Sequence, residues 1–106
     1  MEVHNVLGPG FLEAVVQTAL AHELRTQGIS FEEQKRLPVL YKEILVGDYN
    51  ADFVVEGEII VEIKAVSAIN ASYQAQALNY LAATGLRLTI LLNFGAGSLQ
   101  QRRVVR

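Results

Sequence analysis

Asp52-Phe53-Val54-Val55-Glu56-Gly57-Glu58-Ile59-Ile60-Val61-Glu62-Ile63-Lys64 reads as two short strands joined at Glu56-Gly57-Glu58. Side chains along a strand alternate between its two faces. Odd-numbered positions carry Tyr49, Ala51, Phe53, Val55, Ile59, Val61 and Ile63, whereas even-numbered ones carry Asp48, Asn50, Asp52, Ile60, Glu62 and Lys64. The odd set is a core face, and the even set gathers carboxylates and one ammonium. Glu62 and Lys64 share that face, with Cα atoms about 7 Å apart at ~3.3 Å rise per residue. Loop length decides whether Asp52 joins them. A two-residue connection pairs Val55 with Glu58 and sends Asp52 to the opposite side. A three-residue connection pairs Val55 with Ile59, keeps Phe53, Val55, Ile59 and Val61 together, and sets Asp52 across from Glu62. The apolar pattern selects the longer loop, with Gly57 supplying a positive φ.

Two carboxylates a few ångströms apart repel, and a sheet gains nothing from opposing like charges. A hard divalent cation relieves that repulsion: Mg²⁺ takes one or two carboxylates, keeps several waters and leaves room for a phosphate oxygen. It also lowers the pKa of bound water. A neighbouring lysine can orient that water or offset charge on a phosphoryl transition state. A solvated outer face of an antiparallel sheet shows the same residue types, so spacing alone leaves both readings open.

The remaining sequence bounds the answer. With 106 residues, about half of them apolar, the chain is expected to form one domain over residues 1–106. It has no apolar run long enough to span a membrane and no charged-then-apolar leader. Cysteine is absent, which rules out disulfides and thiolate metal sites and fits a cytoplasmic location. Nine Lys and Arg against eleven Asp and Glu exclude a broad basic surface. Nucleic-acid contact must then be local, on a patch such as Arg102, Arg103 and Arg106, which is otherwise a solvated edge.

Gly8-Pro9-Gly10 breaks the chain after an opening turn, which reads as a helix cut short. From Phe11, the positions Leu12, Val15, Val16, Ala19, Leu20 and Leu24 fall at helical spacing up to a stop at Gly28. Glu13 lies in the first turn of that helix, where a carboxylate also suits the macrodipole. His4 and His22 have no partner at metal-ligand spacing. Phe31 to Tyr41 is strand-like, with Pro38 favouring a sheet edge, and residues 42–47 turn into the central hairpin. Residues 69–84 form a second helix closed by Gly85, with Tyr73, Ala77, Tyr80, Leu81 and Thr84 on one stripe and Gln76 beside Tyr80. The leucine-rich residues 86–93 predict a central strand covered on both faces, reached through a parallel, right-handed crossover. A loop at Phe94-Gly95-Ala96-Gly97-Ser98 leads to a short last strand near residues 102–105. The order is helix, three strands, helix, two strands: an α/β fold on a mixed sheet.

With these residues in place, the chain resembles the GxxExxY family, a branch of the PD-(D/E)XK nuclease superfamily. The likeness runs through Val3-His4, Leu7-Gly8-Pro9-Gly10 with Glu13, Ala51-Asp52-Phe53, Val61-Glu62-Ile63-Lys64-Ala65, Gln76 with Leu78-Asn79-Tyr80-Leu81, and Asn93-Phe94-Gly95. The resemblance implies a restriction-endonuclease-like core, αβββαβ plus a short final strand, and a Mg²⁺- or Mn²⁺-dependent nuclease hydrolysing phosphodiester bonds. By similarity, Asp52, Glu62 and the Ile63 carbonyl bind the metal and Lys64 is the catalytic lysine. Glu13 is expected to reach the metal or its water. Gln76 and Tyr80 look like a QxxxY pair that lines the site and contacts nucleic acid, here expected to be DNA. The family's name-giving tyrosine is replaced by Val16, and the opening helix is shorter than usual. The rival expectation is a non-catalytic nucleic-acid- or protein-binding module that keeps the fold. A homodimer is expected from the small core and the exposed last strand.

Overall fold

The computed structural model describes residues 13–95, 97 and 99–106. The expected opening turn, the Gly-Pro-Gly break, His4, Phe11 and Leu12 lie outside them. The element order is α1 (Glu13–Thr26), β1 (Phe31–Tyr41), β2 (Ile44–Val55), β3 (Ile59–Lys64), α2 (Ala71–Thr84), β4 (Leu88–Asn93) and β5 (Gln100–Val105). The strands form one mixed sheet in the order β1-β2-β3-β4-β5. Only β3 and β4 run parallel, and α2 makes the crossover between them. Pro38 lies on edge strand β1, where a missing N–H costs no ladder bond.

The hairpin register follows the apolar pattern. Phe53 pairs with Val61, Val54 with Ile60 and Val55 with Ile59, so the loop has three residues and Gly57 takes φ +68°. Glu56 also adopts a positive φ; its carboxylate accepts the Ser30 N–H at 3.2 Å. The turn between β1 and β2 is tighter than expected. Lys42 and Glu43, both with positive φ, form a two-residue connection, and residues 44–47 extend β2 rather than the turn. The right-handed twist of paired strands favours such a positive-φ pair.

Both faces of the sheet are covered, which corrects the expectation of one core face and one polar face. Beneath α1, Val16, Leu20 and Ala21 pack with Phe53, Val61, Ile63, Leu92 and Phe94. Beneath α2, Ala77 and Leu81 pack with Ala51, Val54, Ile60, Leu91 and Val104. Val15 is 42% exposed and stands beside the buried stripe rather than in it. The helix stops match their sequence signals. Gly28 takes φ +72° after α1. Asn70 caps α2 by accepting from the N–H groups of Ser72 and Tyr73, and Gly85 closes it at φ +80°.

Strand alternation fails at one place, and that place shapes the site. Phe53 and Val55 face α1, yet Tyr49 and Ala51, of the same parity, pack on the α2 side. The change of side falls at Asp52, where the β1–β2 pairing passes from Glu33–Phe53 to Lys35–Ala51 without an intervening pair. Gln34, opposite, has φ +47°. A residue in the left-handed region reverses the local pleat, so both strands turn over together while their register is kept.

Candidate active site

The ladder between β2 and β3 ends at Phe53–Val61, and the next residues exchange side-chain bonds instead. The Ile63 N–H donates to Asp52 Oδ2 at 2.8 Å, and the Asp52 N–H donates to Glu62 Oε1 at 3.4 Å. Each carboxylate thus accepts from the backbone of the other strand, and the two acids are brought together. N–H and C=O of a strand residue leave the same edge, so the Ile63 carbonyl also leaves towards Asp52, past the end of the ladder.

Glu62 and Lys64 open on the α2 side into a cleft lined by Asp48, Tyr49, Asn50, Tyr73, Gln76, Ala77, Tyr80 and Leu91. The Tyr49 hydroxyl donates to Glu62 Oε1. The Tyr49 ring stacks on Tyr80 with centroids 3.8 Å apart and planes 11° from parallel. Lys64 Nζ lies 5.2 Å from the centroid of the Tyr73 ring, and among the described residues it makes no ion pair. Burial pushes the Glu62 carboxyl up to about 7, reinforced by the charge of Asp52; the Tyr49 hydroxyl, the Asp52 N–H and Lys64 act against the rise without cancelling it. Burial, with the nearby Glu62 carboxylate, also raises the Tyr49 phenol, so it stays protonated and donating at neutral pH.

The backbone beyond Lys64 is fixed by a buried amide. Asn93 Oδ1 accepts from the Val66 and Gly95 N–H groups at 3.0 Å each, and Asn93 Nδ2 donates to Gln100 Oε1 at 2.8 Å. Gly95 packs so closely that a Cβ there would lie 2.5 Å from Val66 N. This clasp joins the C-terminal ends of β3 and β4, beside Lys64.

Of the residues singled out in the sequence, the structure brings Asp52, Glu62, Ile63, Lys64, Gln76 and Tyr80 into one neighbourhood. Gln76 is exposed and Tyr80 half-buried. Glu13 stands apart: it is exposed at the start of α1, on the helix that covers the opposite face, and does not line the cleft. It shares an i,i+4 stripe with Gln17. Gln17 accepts from Gln34 Nε2 at 2.7 Å, and Gln34 in turn accepts from Asn50 Nδ2 at 2.6 Å, so a chain of amides runs from that stripe to the cleft edge. Val16 is fully buried in the α1 core. Arg102 and Arg103 lie on edge strand β5, away from the acids.

Sequence reasoning missed Tyr49, which alternation from Phe53 assigns to the wrong face. It also left Tyr73 without a role, although Tyr73 shares the α2 stripe of Tyr80. Among the described residues no group of three or more acidic, histidine or cysteine side chains gathers as a metal cage. Two carboxylates and a backbone carbonyl nevertheless suit a hard cation that completes its shell with water. The uncompensated burial of Glu62 supplies the electrostatic reason for one to bind.

The family model of the PD-(D/E)XK nuclease superfamily matches residues 1–105. No curated protein sequence matches the chain. Among solved structures, SSO0001 aligns with a TM-score of 0.66 and 15% identity, covering 88% of this chain and 49% of its own. An alkaline exonuclease from Laribacter hongkongensis aligns with a TM-score of 0.61 and 16% identity, covering 84% of this chain and 53% of its own. The chain therefore spans about half the length of these structures, and at such identities the likeness is one of fold.

Proposed function

Because the chain belongs to the PD-(D/E)XK nuclease superfamily, we propose that it is a metal-dependent nuclease that hydrolyses phosphodiester bonds, with DNA as its substrate. The observation that carries this reading is the exchange of bonds that ties Asp52 to Glu62, with Glu62 and Lys64 lining a cleft shared with Gln76 and Tyr80. Asp52, Glu62 and the Ile63 carbonyl would hold Mg²⁺ or Mn²⁺, which when bound supplies positive charge at the scissile phosphate and acidity to water. Lys64, which makes no ion pair among the described residues, orients the attacking water in line and offsets charge on the phosphoryl oxygens. Gln76 offers its amide to the sugar-phosphate backbone, and the Tyr80 ring offers a stacking surface to a base. Glu13, which does not line the cleft, is assigned no contact with the cation. Association into a homodimer and a cytoplasmic location belong to the same reading. Purified protein with Mn²⁺ should cut single-stranded or duplex DNA, and Asp52→Ala and Lys64→Met should abolish cutting. Intact DNA and RNA substrates after incubation with the wild type, or unchanged cleavage by Asp52→Ala, would overturn it.

A second reading is favoured by the acidic balance of the chain, formal net charge −2: a non-catalytic nucleic-acid- or protein-binding module that keeps the fold. Calorimetry separates the two, because the enzyme must take up Mn²⁺ and the module need not.

A further inference from the structure

Tyr49 is not among the residues on which the nuclease reading was built, yet its hydroxyl lies on Glu62 and its ring on Tyr80. Glu62 Oε1 accepts from both the Tyr49 hydroxyl and the Asp52 N–H. Two donors fill the in-plane lone pairs of a carboxylate oxygen, so a cation approaching that oxygen must displace one of them. The Asp52 N–H is part of strand β2 and cannot leave without moving the sheet. The phenol sits at the end of a rotatable side chain and can. We infer that Tyr49 is a positioning residue that acts as a latch: its hydroxyl holds Glu62 in the metal-free protein and yields that oxygen when the cation binds. The inference rests on the proposed metal site. The ring stack gives the latch its second function. Because Tyr49 lies flat on Tyr80, any displacement of the phenol disturbs the Tyr80 face that would receive a base, so cation and strand are sensed on one connected surface.

A structural contact, once removed, weakens what it supports; a competing contact, once removed, strengthens what it opposes. Tyr49→Phe keeps the stacked ring and deletes only the donor. A hydrogen bond to a charged acceptor is strong enough that its loss as a competitor should tighten Mn²⁺ binding about tenfold. Titration calorimetry with Mn²⁺ on the wild type and Tyr49→Phe reads this directly. On the wild type alone, Mn²⁺ should produce a saturable near-ultraviolet tyrosine difference spectrum as the hydroxyl leaves its carboxylate, so the inference is testable even if the variant does not fold. Tighter binding by Tyr49→Phe, or the spectral change where the variant is lost, supports the latch. Equal or weaker binding by a folded variant, or Mn²⁺ uptake by the wild type with a silent tyrosine spectrum, overturns the latch and leaves the metal site standing. No Mn²⁺ uptake by either protein overturns both.

Discussion

Glu62→Gln should make the metal-free protein more stable at pH 8 by about 3 kcal/mol and leave it almost unchanged at pH 4. The magnitude comes from the carboxyl's rise from 4.5 to about 7, at about 1.4 kcal/mol for each unit. The sign is opposite to that of a paired surface acid. Between pH 4.5 and 7 the folded chain holds a proton on Glu62 that the unfolded chain has released, so stability falls as pH rises through that window. Below it both states are protonated and the penalty vanishes. Glutamine keeps an Oε1 that can accept from Tyr49 and Asp52, carries no charge to desolvate, and can turn its NH₂ towards the Asp52 carboxylate. Urea denaturation in EDTA at pH 4 and pH 8 measures the difference. Adding Mn²⁺ at about a thousand times its Kd should reverse the order at pH 8, since that stabilises the wild type by about 4.1 kcal/mol and the variant loses that site. A variant less stable than the wild type at pH 8 without metal, or a gain of equal size at both pH values, would refute the picture of Glu62 as a buried acid short of positive charge.

Gly95→Ala should cost about 1–3 kcal/mol, the usual range for overpacking, because its Cβ meets the Val66 backbone at 2.5 Å. Urea melts should show it, and displacement of the Lys64–Val66 segment should lower cleavage more than stability explains. Thr89→Val should be neutral or stabilising by up to ~1 kcal/mol, since the Thr89 hydroxyl is buried without a partner among the described residues and its loss removes a desolvation penalty; thermal melts decide, and a loss above ~1 kcal/mol would mean the hydroxyl is satisfied. The β1–β2 hairpin tip exposes Leu40, Tyr41, Ile44, Leu45 and Val46 at 55–64%, a local excess of apolar surface of the kind that marks association. Replacing Ile44 and Val46 by lysine should shift light-scattering mass from dimer to monomer; a wild type that stays monomeric up to high micromolar concentration contradicts the homodimer.

Most of the architecture was legible because its signals are local and strong. Gly28, Gly57 and Gly85 mark chain reversals that other residues adopt at a cost, and each takes a positive φ where its pattern required it. The parity of Phe53, Val55, Ile59 and Val61 requires a three-residue loop, and with it the meeting of Asp52 and Glu62. The leucine-rich run ending in Asn93 announced a strand buried on both faces, as β4 is. The misplacement of Tyr49 has one physical origin. Alternation is a statement about an unbroken pleat, and the pleat breaks at Gln34 and Asp52. Glutamine is not a residue that announces a positive φ, since no glycine or asparagine stands there to suggest it. Everything on the far side of the break in β2 was therefore assigned to the wrong face, Tyr49 above all. The same break explains why the site lies where it does. A continuous ladder would pair the backbones of Asp52 and Glu62 and leave their side chains to the mercy of solvent. Ending the ladder early leaves the Asp52 N–H to donate to the Glu62 carboxylate and the Ile63 N–H to the Asp52 carboxylate, while the reversed pleat turns Tyr49 onto Glu62. The feature hardest to read from the sequence is the one that converts two aligned acids into a site.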